Sequence, residues 1–265
     1  MGNEGILALL IANCRVRRCS RRHALRRSPA AANGDARRRS VDPVMQVILW
    51  WVAFAGTHTL LTHPPVRSAL VARLGTGPFQ GLFSVVAFAT FVPLVWTFFG
   101  HRTSSAMPLT YLAQTPGIWW LTMILMFVAF ELVVLGFARP NPLALTARTG
   151  FGAGGILRVT RHPAFMGAAL FGLAHLLVNQ RALDRAFFGG GLVYSILGSA
   201  HQDWRKRREK GPEMERFYAE TSFFPFVAIA AGRTRFEPRE IGGAAFAIGA
   251  ILYAVVFVFH NRWFG

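Results

Sequence analysis

Ionisable side chains inside apolar stretches are the residues of this sequence with the clearest capacity for chemistry. His58, Glu131 and His175 occur where a charged group costs several kcal/mol, so each marks a functional site or a paired contact between helices. Two imidazoles from different helices can ligate one octahedral iron axially, and His58 with His175 can serve that chemistry. The alternative is a packing role, with each histidine bonded to a neighbouring helix. Glu131 is either a proton carrier or ligand, or a neutral carboxylic acid bonded to another helix.

The spacing of the histidines limits which of them can share a ligand. His162 and His175 lie thirteen residues apart, about 20 Å along one helix, so they cannot bind one ion. His175 shares a helix face with Gly172, and His58 lies close to Gly56, so small neighbours leave room for a flat group. A planar macrocycle between the two segments is therefore geometrically reasonable, although the spacing does not require it.

Two polar runs flank the later apolar stretches. Arg158 and Arg161 precede Pro163, and their guanidinium groups can hold a lipid phosphate or a substrate anion. Pro163 can start a helix because the first helical residue needs no amide donor. His201 and Asp203 follow another apolar stretch and add an imidazole and a carboxylate close to cations. A solvated amphipathic helix face is the alternative interpretation of that second run.

The elements that position these residues are apolar helices. The chain has 265 residues, 53% hydrophobic and 15% charged, whereas soluble domains have about a quarter charged residues. The apolar residues come in blocks of membrane-spanning length. We therefore predict an all-α, polytopic transmembrane bundle of five to six spans with an extramembrane basic loop. The predicted spans are 47–62, 79–99, 117–138, 163–178, 186–200 and 241–260.

The formal net charge of +17 raises the question of nucleic-acid binding, but its distribution favours a membrane. Ten of the 29 cations fall in 15–39 and nine in 205–239, and the rest flank apolar blocks. Such loops are typical of contact with anionic lipid, so we expect the lipid bilayer and no nucleic acid as a partner. The positive-inside rule predicts that 139–162 and 201–240 face the cytoplasm, and we expect a bacterial inner membrane location.

Residues 1–44 differ from the remainder of the chain. They are rich in Arg, Ala and Ser, and we predict a disordered basic extension ahead of a membrane domain that covers 45–265. We favour an upstream extension of a gene that starts at Met45, with a transit peptide or a basic arm as alternatives. Because Cys14 and Cys19 both lie in this extension, a metal in the membrane body would need imidazole, carboxylate or carbonyl ligands.

Between residues 155 and 233 the sequence contains a series of short motifs in a fixed order. They are Arg161-His162-Pro163, Gly167, Leu173-Ala174-His175-Leu176, His201-Gln202-Asp203 with Arg205, Thr221-Ser222-Phe223-Phe224-Pro225-Phe226 and Ala231-Gly232-Arg233. These motifs resemble the NnrU domain, which is shared with the plant and cyanobacterial 15-cis-ζ-carotene isomerases. The first span with Thr57 and His58 is similar to the N-terminal part of that family, so the resemblance extends from Met45 to about Glu240.

This resemblance implies a helical membrane protein that binds b-type haem and acts as a redox protein or as a haem-dependent cis–trans isomerase of a carotenoid. In the isomerases the first-span histidine and the Ala-His-Leu histidine ligate iron, and these positions are His58 and His175 here. The Arg-His-Pro histidine of the family corresponds to His162. The resemblance thus implies a catalytic set of Arg161, His162, His201 and Asp203, with Arg158 and Arg161 near the cofactor.

The sequence departs from the isomerases at two places. Gly172 stands where they have a redox-active cysteine, and Tyr194-Ser195 stands where they have a histidine pair. A thiolate–histidine ligand switch is therefore not available to this chain. Two alternatives stay open: a non-enzymatic accessory protein for nitric-oxide and denitrification metabolism, with a respiratory enzyme as its partner, and a membrane methyltransferase of the isoprenylcysteine type. The methyltransferases bind S-adenosylmethionine through paired glutamates, where this chain has Gln202-Asp203.

Overall fold

The structure is a computed structural model that describes residues 41–102, 115–139, 141–143, 152–210 and 214–264. Nearly all of the extension predicted at 1–44 therefore lies outside the described residues. The first helix begins at Pro43, two residues before the predicted start of the membrane domain.

The described residues form helices joined by turns, which confirms the predicted all-α fold class. The loop expected between the first two spans instead contains an extra helix with two arginines, α2. The helices are α1 (Pro43–Thr62), α2 (Pro64–Leu74), α3 (Thr76–His101), α4 (Pro116–Ala138), α5 (Ile156–Val159), α6 (Pro163–Val178), α7 (Ala182–Lys210), α8 (Glu215–Glu220), α9 (Val227–Ala230) and α10 (Gly243–Phe264), with a 3-10 turn at Pro238–Glu240.

Prolines mark where several of these helices begin. Pro43, Pro64, Pro116 and Pro163 are the first residues of α1, α2, α4 and α6. A proline is well tolerated there because its missing N–H would have no partner within the helix and its fixed φ already suits a helix. Gly75 separates α2 from α3 with φ 82°, a conformation that a residue with a Cβ rarely adopts.

Within the described residues, four helices, α1, α3, α4 and α10, are long and apolar enough to cross a membrane. Helix α6 is a shorter apolar helix that keeps the predicted bounds of 163–178. The predicted span 186–200 forms the apolar part of α7, but the helix continues to Lys210. The predicted end at 200 marks where the apolar residues stop, because apolarity predicts only the part of a helix that lies in lipid. The helix itself continues through the charged residues that follow, to Lys210.

The helices pack in the order α10, α4, α6, α7, α1 and α3, each against the next. Gly167 lets α6 approach α4, because a Cβ there would lie 2.7 Å from the carbonyl oxygen of Ala129. Helices α1 and α6 each pack along α7 and contact each other little. Helix α7 therefore lies between the two segments that carry His58 and His175.

Candidate functional site

The most polar site in the described part of the chain lies where the start of α6 meets the second half of α7. His162 immediately precedes α6 and is 1% exposed. Its Nε2 lies 2.7 Å from Oδ1 of Asp203, and its Nδ1 lies 3.1 Å from Oε1 of Gln202. The Gln202 amide nitrogen donates to the carbonyl of Leu143 at 2.7 Å, so its oxygen is the atom facing the ring. Both ring nitrogens of His162 therefore face acceptor oxygens.

Arg161 completes this cluster from the same side. Its Nε and Nη2 both donate to Oδ2 of Asp203 at 2.8 Å, and its guanidinium lies 4.9 Å from the ring centre of Tyr218. The backbone N–H of Arg161 donates to the carbonyl of Ser222, which fixes the segment ahead of α6. Charge-assisted bonds of this kind are stronger than neutral ones. Arg161, His162 and Asp203, predicted as one catalytic set, therefore lie together.

The charge balance keeps Asp203 ionised. Burial alone raises the pKa of a carboxyl group, but the hydrogen bonds and positive charges of His162 and Arg161 outweigh burial and hold the pKa of Asp203 below its usual value. Both carboxylate oxygens are used within the cluster. We name Arg161, His162, Gln202 and Asp203 the polar cluster. Its bonds are internal, so the arrangement acts first as a brace between α6 and α7.

His201, the fourth member of the predicted catalytic set, contacts two aromatic rings outside the polar cluster. Gln202, the next residue, belongs to the polar cluster and also lines one cavity together with His201. The ring of His201 stacks near Trp204 and His63, with ring centres 5.5 and 6.2 Å away. Its Nε2 is buried and has no hydrogen-bond partner among the described residues. Burial, with the nearby charges of Arg205 and His63, lowers the pKa of His201 and favours its neutral form.

His58 and His201 both line one small cavity. The Nδ1 of His58 is 2.8 Å from the carbonyl oxygen of Phe54 and must donate to it, so Nε2 keeps its lone pair. We name this space the His58 cavity; its volume is about 90 Å³. Its lining residues are His58, Thr59, Thr62, Phe83, Phe165, Tyr194, Gly198, His201, Gln202 and Arg205.

His175, the second predicted iron ligand, is on α6 and packs against α7 at Phe188. Its ring is stacked on Phe188 with centres 4.2 Å apart, and its Nδ1 donates to the carbonyl of Phe171 at 2.9 Å. The sequence suggested that Gly172 leaves room for a flat group. It does not, because a Cβ there would lie 2.7 Å from the carbonyl oxygen of Phe188. That glycine serves close packing of α6 on α7.

His58 and His175 contact different positions on α7. The ring of His58 lies 6.0 Å from that of Tyr194 and the ring of His175 lies 4.2 Å from that of Phe188, positions about 9 Å apart along the axis and about 120° apart around it. Axial ligands of one iron need their nitrogens about 4 Å apart, twice an ordinary metal–nitrogen bond. The His58 cavity of about 90 Å³ is also far below the roughly 300–1,000 Å³ of cofactor pockets. Haem ligation by this pair stays a prediction, and no chemical step is assigned to it.

Arg158, predicted near an anionic group, is held by a carboxylate of the chain itself. Its Nε and Nη2 donate to the two carboxylate oxygens of Glu240 at 2.9 and 3.0 Å. The Gly155 N–H also donates to this carboxylate at 2.7 Å. The Arg158 hydrogen bond, followed by that of Gly155, lowers the pKa of Glu240 to about 2. This pair ties α5 to the segment that enters α10, a role that the sequence did not reveal.

Glu131 lies within α4 against the last helix. Its side chain is buried, and neither carboxylate oxygen has a hydrogen-bond partner among the described residues. A Cβ on Gly249 of α10 would lie 2.7 Å from one of these oxygens, so Glu131 faces the α10 backbone. Both sequence interpretations of Glu131 stay open, and it is separate from the polar cluster and the His58 cavity.

Comparison with known proteins assigns the chain to a family. A family model described as NnrU protein matches residues 46–265. The chain is 26% identical to the chloroplastic 15-cis-zeta-carotene isomerase of Arabidopsis thaliana over 201 residues, which cover 73% of this chain and 53% of that protein. The Zea mays protein of the same description is 26% identical over 196 residues, 71% of this chain and 51% of its own. The chain spans about half the length of these curated relatives. No solved structure matches it with significance.

Proposed function

The chain belongs to the NnrU protein family, and from that premise we propose that it is an integral membrane enzyme that binds a long conjugated polyene and isomerises one of its double bonds. The two curated relatives are named as carotene isomerases, and their similarity covers more than two thirds of this chain. A carotenoid is therefore the proposed substrate class.

An apolar groove on α3 carries the proposal. The groove has a volume of about 510 Å³, within the range of small-molecule sites, and in the part of the chain that the structure describes no charged side chain lines it. An extended hydrocarbon can lie along such a surface, out of water. The lining residues are Phe88, Phe91, Val92, Val95, Trp96, Phe99 and Gly100.

Aromatic contacts join this groove to the His58 cavity. Phe91 lines the groove and its ring centre lies 5.3 Å from that of Phe54 on α1. The ring of Phe54 in turn lies 4.0 Å from that of His58. A polyene in the groove would therefore be two ring contacts away from the His58 imidazole. In this proposal the groove orients the substrate, and Phe91 and Phe54 position it relative to the polar residues.

The proposal is tested by incubating the full chain, in lipid nanodiscs, with a 15-cis polyene, with and without haem b, and separating the isomers chromatographically. We expect conversion to the trans isomer, reduced at least about tenfold by Phe91→Ala, because small displacements of a substrate are costly. Val85→Ala is the matched control, since Val85 is exposed on α3 and does not line the groove. Absence of conversion under both conditions, or equal loss in both variants, contradicts the proposal.

Binding is measured separately from turnover. Trp96 lines the groove and is 79% exposed, so energy transfer to a bound polyene should quench its emission. Trp96→Phe should remove most of the quenching, whereas Trp120→Phe, on α4, should not. Quenching that is the same in both variants would place the polyene elsewhere on the molecule.

The structure bears on one of the two alternative functions, the methyltransferase, and not on the other. For the methyltransferase, Gln202 and Asp203 are committed to the polar cluster and offer no free carboxylate for S-adenosylmethionine. The accessory role with a respiratory enzyme partner stays a prediction. A deletion strain with normal carotenoids and accumulating nitric oxide would favour that role over isomerisation.

A further inference from the structure

An exposed aromatic surface lies on the segment between α8 and α10, and neither the polar cluster nor the proposed function uses it. Four large apolar side chains there are about half exposed: Phe224 at 56%, Phe226 at 53%, Val227 at 48% and Phe236 at 43%. We name residues 223–236 the aromatic segment. Several exposed apolar side chains that lie so close in the chain mark a surface that contacts a membrane or another molecule.

The backbone of the aromatic segment holds one of these rings outward in an unfavourable conformation. Phe226 has a φ of 66°, the only positive φ outside glycine among the residues that the structure describes. A bulky side chain rarely adopts this left-handed conformation because of crowding at its Cβ. The Phe226 N–H donates to the Val159 carbonyl at 2.8 Å, which holds the residue in place. Since the Phe226 side chain is more than half exposed, packing within the chain does not account for this arrangement.

The inner side of the aromatic segment fixes it at the ends of three helices. Phe223 and Ile229 pack on an apolar cluster that includes the last two turns of α4, the first turn of α6 and the start of α10. Those residues are Leu132, Leu135, Met166, Ile241 and Ala245. Because α4 and α10 are candidate membrane spans, the aromatic segment lies at the level of a membrane surface.

The charge next to these rings is positive. Three arginines there are exposed: Arg233, Arg235 and Arg239. Glu237 is exposed between them, whereas the Glu240 carboxylate is already paired with Arg158. The arginines therefore outnumber the available carboxylate, and such a stretch attracts anionic phospholipid headgroups. The positive-inside rule predicts that 201–240 faces the cytoplasm, where the leaflet carries anionic lipid.

We propose that the aromatic segment is a membrane-interface anchor that binds the surface of a bilayer containing anionic phospholipid. Phe224, Phe226 and Val227 insert among the headgroups, as the apolar residues of interfacial segments do. Arg235 and Arg239 bind the lipid phosphates through charge-assisted hydrogen bonds. In this arrangement the outward ring of Phe226 is buried in lipid and is not exposed to water.

Two hydrogen bonds join the anchor to the start of α6. The Thr160 hydroxyl donates to the Phe223 carbonyl at 2.6 Å, and the Arg161 N–H donates to the Ser222 carbonyl at 3.0 Å. The anchor thus fixes the depth of the polar cluster relative to the lipid. It does not depend on the proposed isomerase function.

The first test measures whether the aromatic segment lies in lipid. The full chain, with Cys14→Ser and Cys19→Ser, receives a spin label at Phe226→Cys or at Phe224→Cys and is placed in nanodiscs that contain phosphatidylglycerol. We expect both labels to collide more with oxygen, which is enriched in lipid, than with a neutral nickel chelate in water. Glu215→Cys is the control, because that residue is exposed on α8, and its label should show the reverse.

The second test measures the preference for anionic lipid. A fluorophore at Phe224→Cys is quenched by lipids that carry a nitroxide, and quenching by phosphatidylglycerol is compared with quenching by phosphatidylcholine. We expect the preference for phosphatidylglycerol to fall about fivefold in Arg235→Gln and in Arg239→Gln, since one charge near an anionic surface is worth about 1 kcal/mol. Arg216→Gln is the matched control, because Arg216 is bonded to Glu220 on α8, and it should leave the preference unchanged.

Three outcomes overturn the proposal. Labels at positions 224 and 226 that meet the nickel chelate as often as the label at 215 would place the aromatic segment in water. Labels shielded from both oxygen and the chelate would mean that protein, and not lipid, covers this surface. A lipid preference that is the same in both arginine variants and in the control would exclude anionic phospholipid as the ligand of these arginines.

Discussion

The polar cluster and the His58 cavity adjoin along the same stretch of α7, share Gln202, and are both built around histidine. In the polar cluster both nitrogens of His162 face acceptors, and the carboxylate of Asp203 is shared with Arg161. Beside the His58 cavity, His201 has a buried nitrogen with no partner among the described residues. Fully satisfied polar groups stabilise one arrangement, whereas an unsatisfied group is costly until something binds it. The first region is therefore suited to bracing and the second to binding.

The strongest test of this comparison removes the shared acceptor of the polar cluster. Asp203→Ala leaves Arg161 and His162 buried without their carboxylate, which should lower the free energy of unfolding by about 3–5 kcal/mol. The measurement is denaturant unfolding in bicelles. The control is Glu220→Ala, which removes the partner of the exposed Arg216 and should change little. A small effect of Asp203→Ala would mean that the cluster is not a brace.

A second substitution tests the packing that places both regions on α7. Gly172→Ala puts a Cβ 2.7 Å from the Phe188 carbonyl oxygen, so α6 and α7 must move apart. We expect a loss of about 1–3 kcal/mol in the free energy of unfolding, the usual range for overpacking. Gly189→Ala is the matched control on α7, because a Cβ there would meet nothing within 4 Å. Equal stability of the two variants would contradict the close α6–α7 contact.

A third test concerns Glu240, which lies outside both regions and has a more exposed side chain. Its bond to Arg158 should contribute at most about 1 kcal/mol because water screens partly exposed pairs. The pKa of Glu240 falls from 4.5 in the unfolded chain to about 2 in the folded one. Its contribution is therefore complete above about pH 4.5 and is lost as the pH falls toward 2. Glu240→Gln should remove this part of the acid dependence, which unfolding measured across that pH range will show.

Asp203 titrates in the same direction as Glu240, since its pKa is also lowered on folding. Its contribution to stability is present above its unfolded pKa and is lost as the pH falls through the lower, folded value. Acid sensitivity that persists in Glu240→Gln should therefore disappear in the double variant with Asp203→Ala. Persistence in the double variant would assign the remaining titration to other groups.

Much of this arrangement could be predicted from sequence, because it depends on local rules. Pro163 predicts the start of α6, and apolar length predicts its end, so its bounds agree with the structure. The grouping of Arg161, His162 and Asp203 came from motif resemblance, and the structure brings the three together. These predictions agree with the structure because each depends on neighbouring residues or on a motif of fixed spacing.

The remaining features depend on helix rotation and on contacts between distant segments, which spacing does not contain. His201 and Gln202 are adjacent in the sequence and both line the His58 cavity, yet Gln202 also bonds His162 in the polar cluster, whereas His201 lies against Trp204 and His63. The Arg158–Glu240 pair joins residues 82 positions apart. Gly172 looked like open space because glycine is small, but the α7 backbone fills that space. Such assignments require knowledge of which helix faces which.

The last prediction makes the same substitution, histidine to phenylalanine, at one histidine of each region. It contains the smallest expected effect, at His201, and compares the two regions most directly. His201→Phe replaces an imidazole that has an unsatisfied nitrogen with an apolar ring beside a cavity. We expect a change in the free energy of unfolding of less than about 1 kcal/mol, since replacing an unsatisfied polar group by an apolar one of similar shape is nearly neutral. His162→Phe leaves Oδ1 of Asp203 and Oε1 of Gln202 without the ring nitrogens that they face, although Arg161 still bonds Oδ2 of Asp203, and should cost about 3 kcal/mol or more. Denaturant unfolding of both variants in the same bicelles compares them directly, and equal costs would remove the distinction between a bracing and a binding histidine.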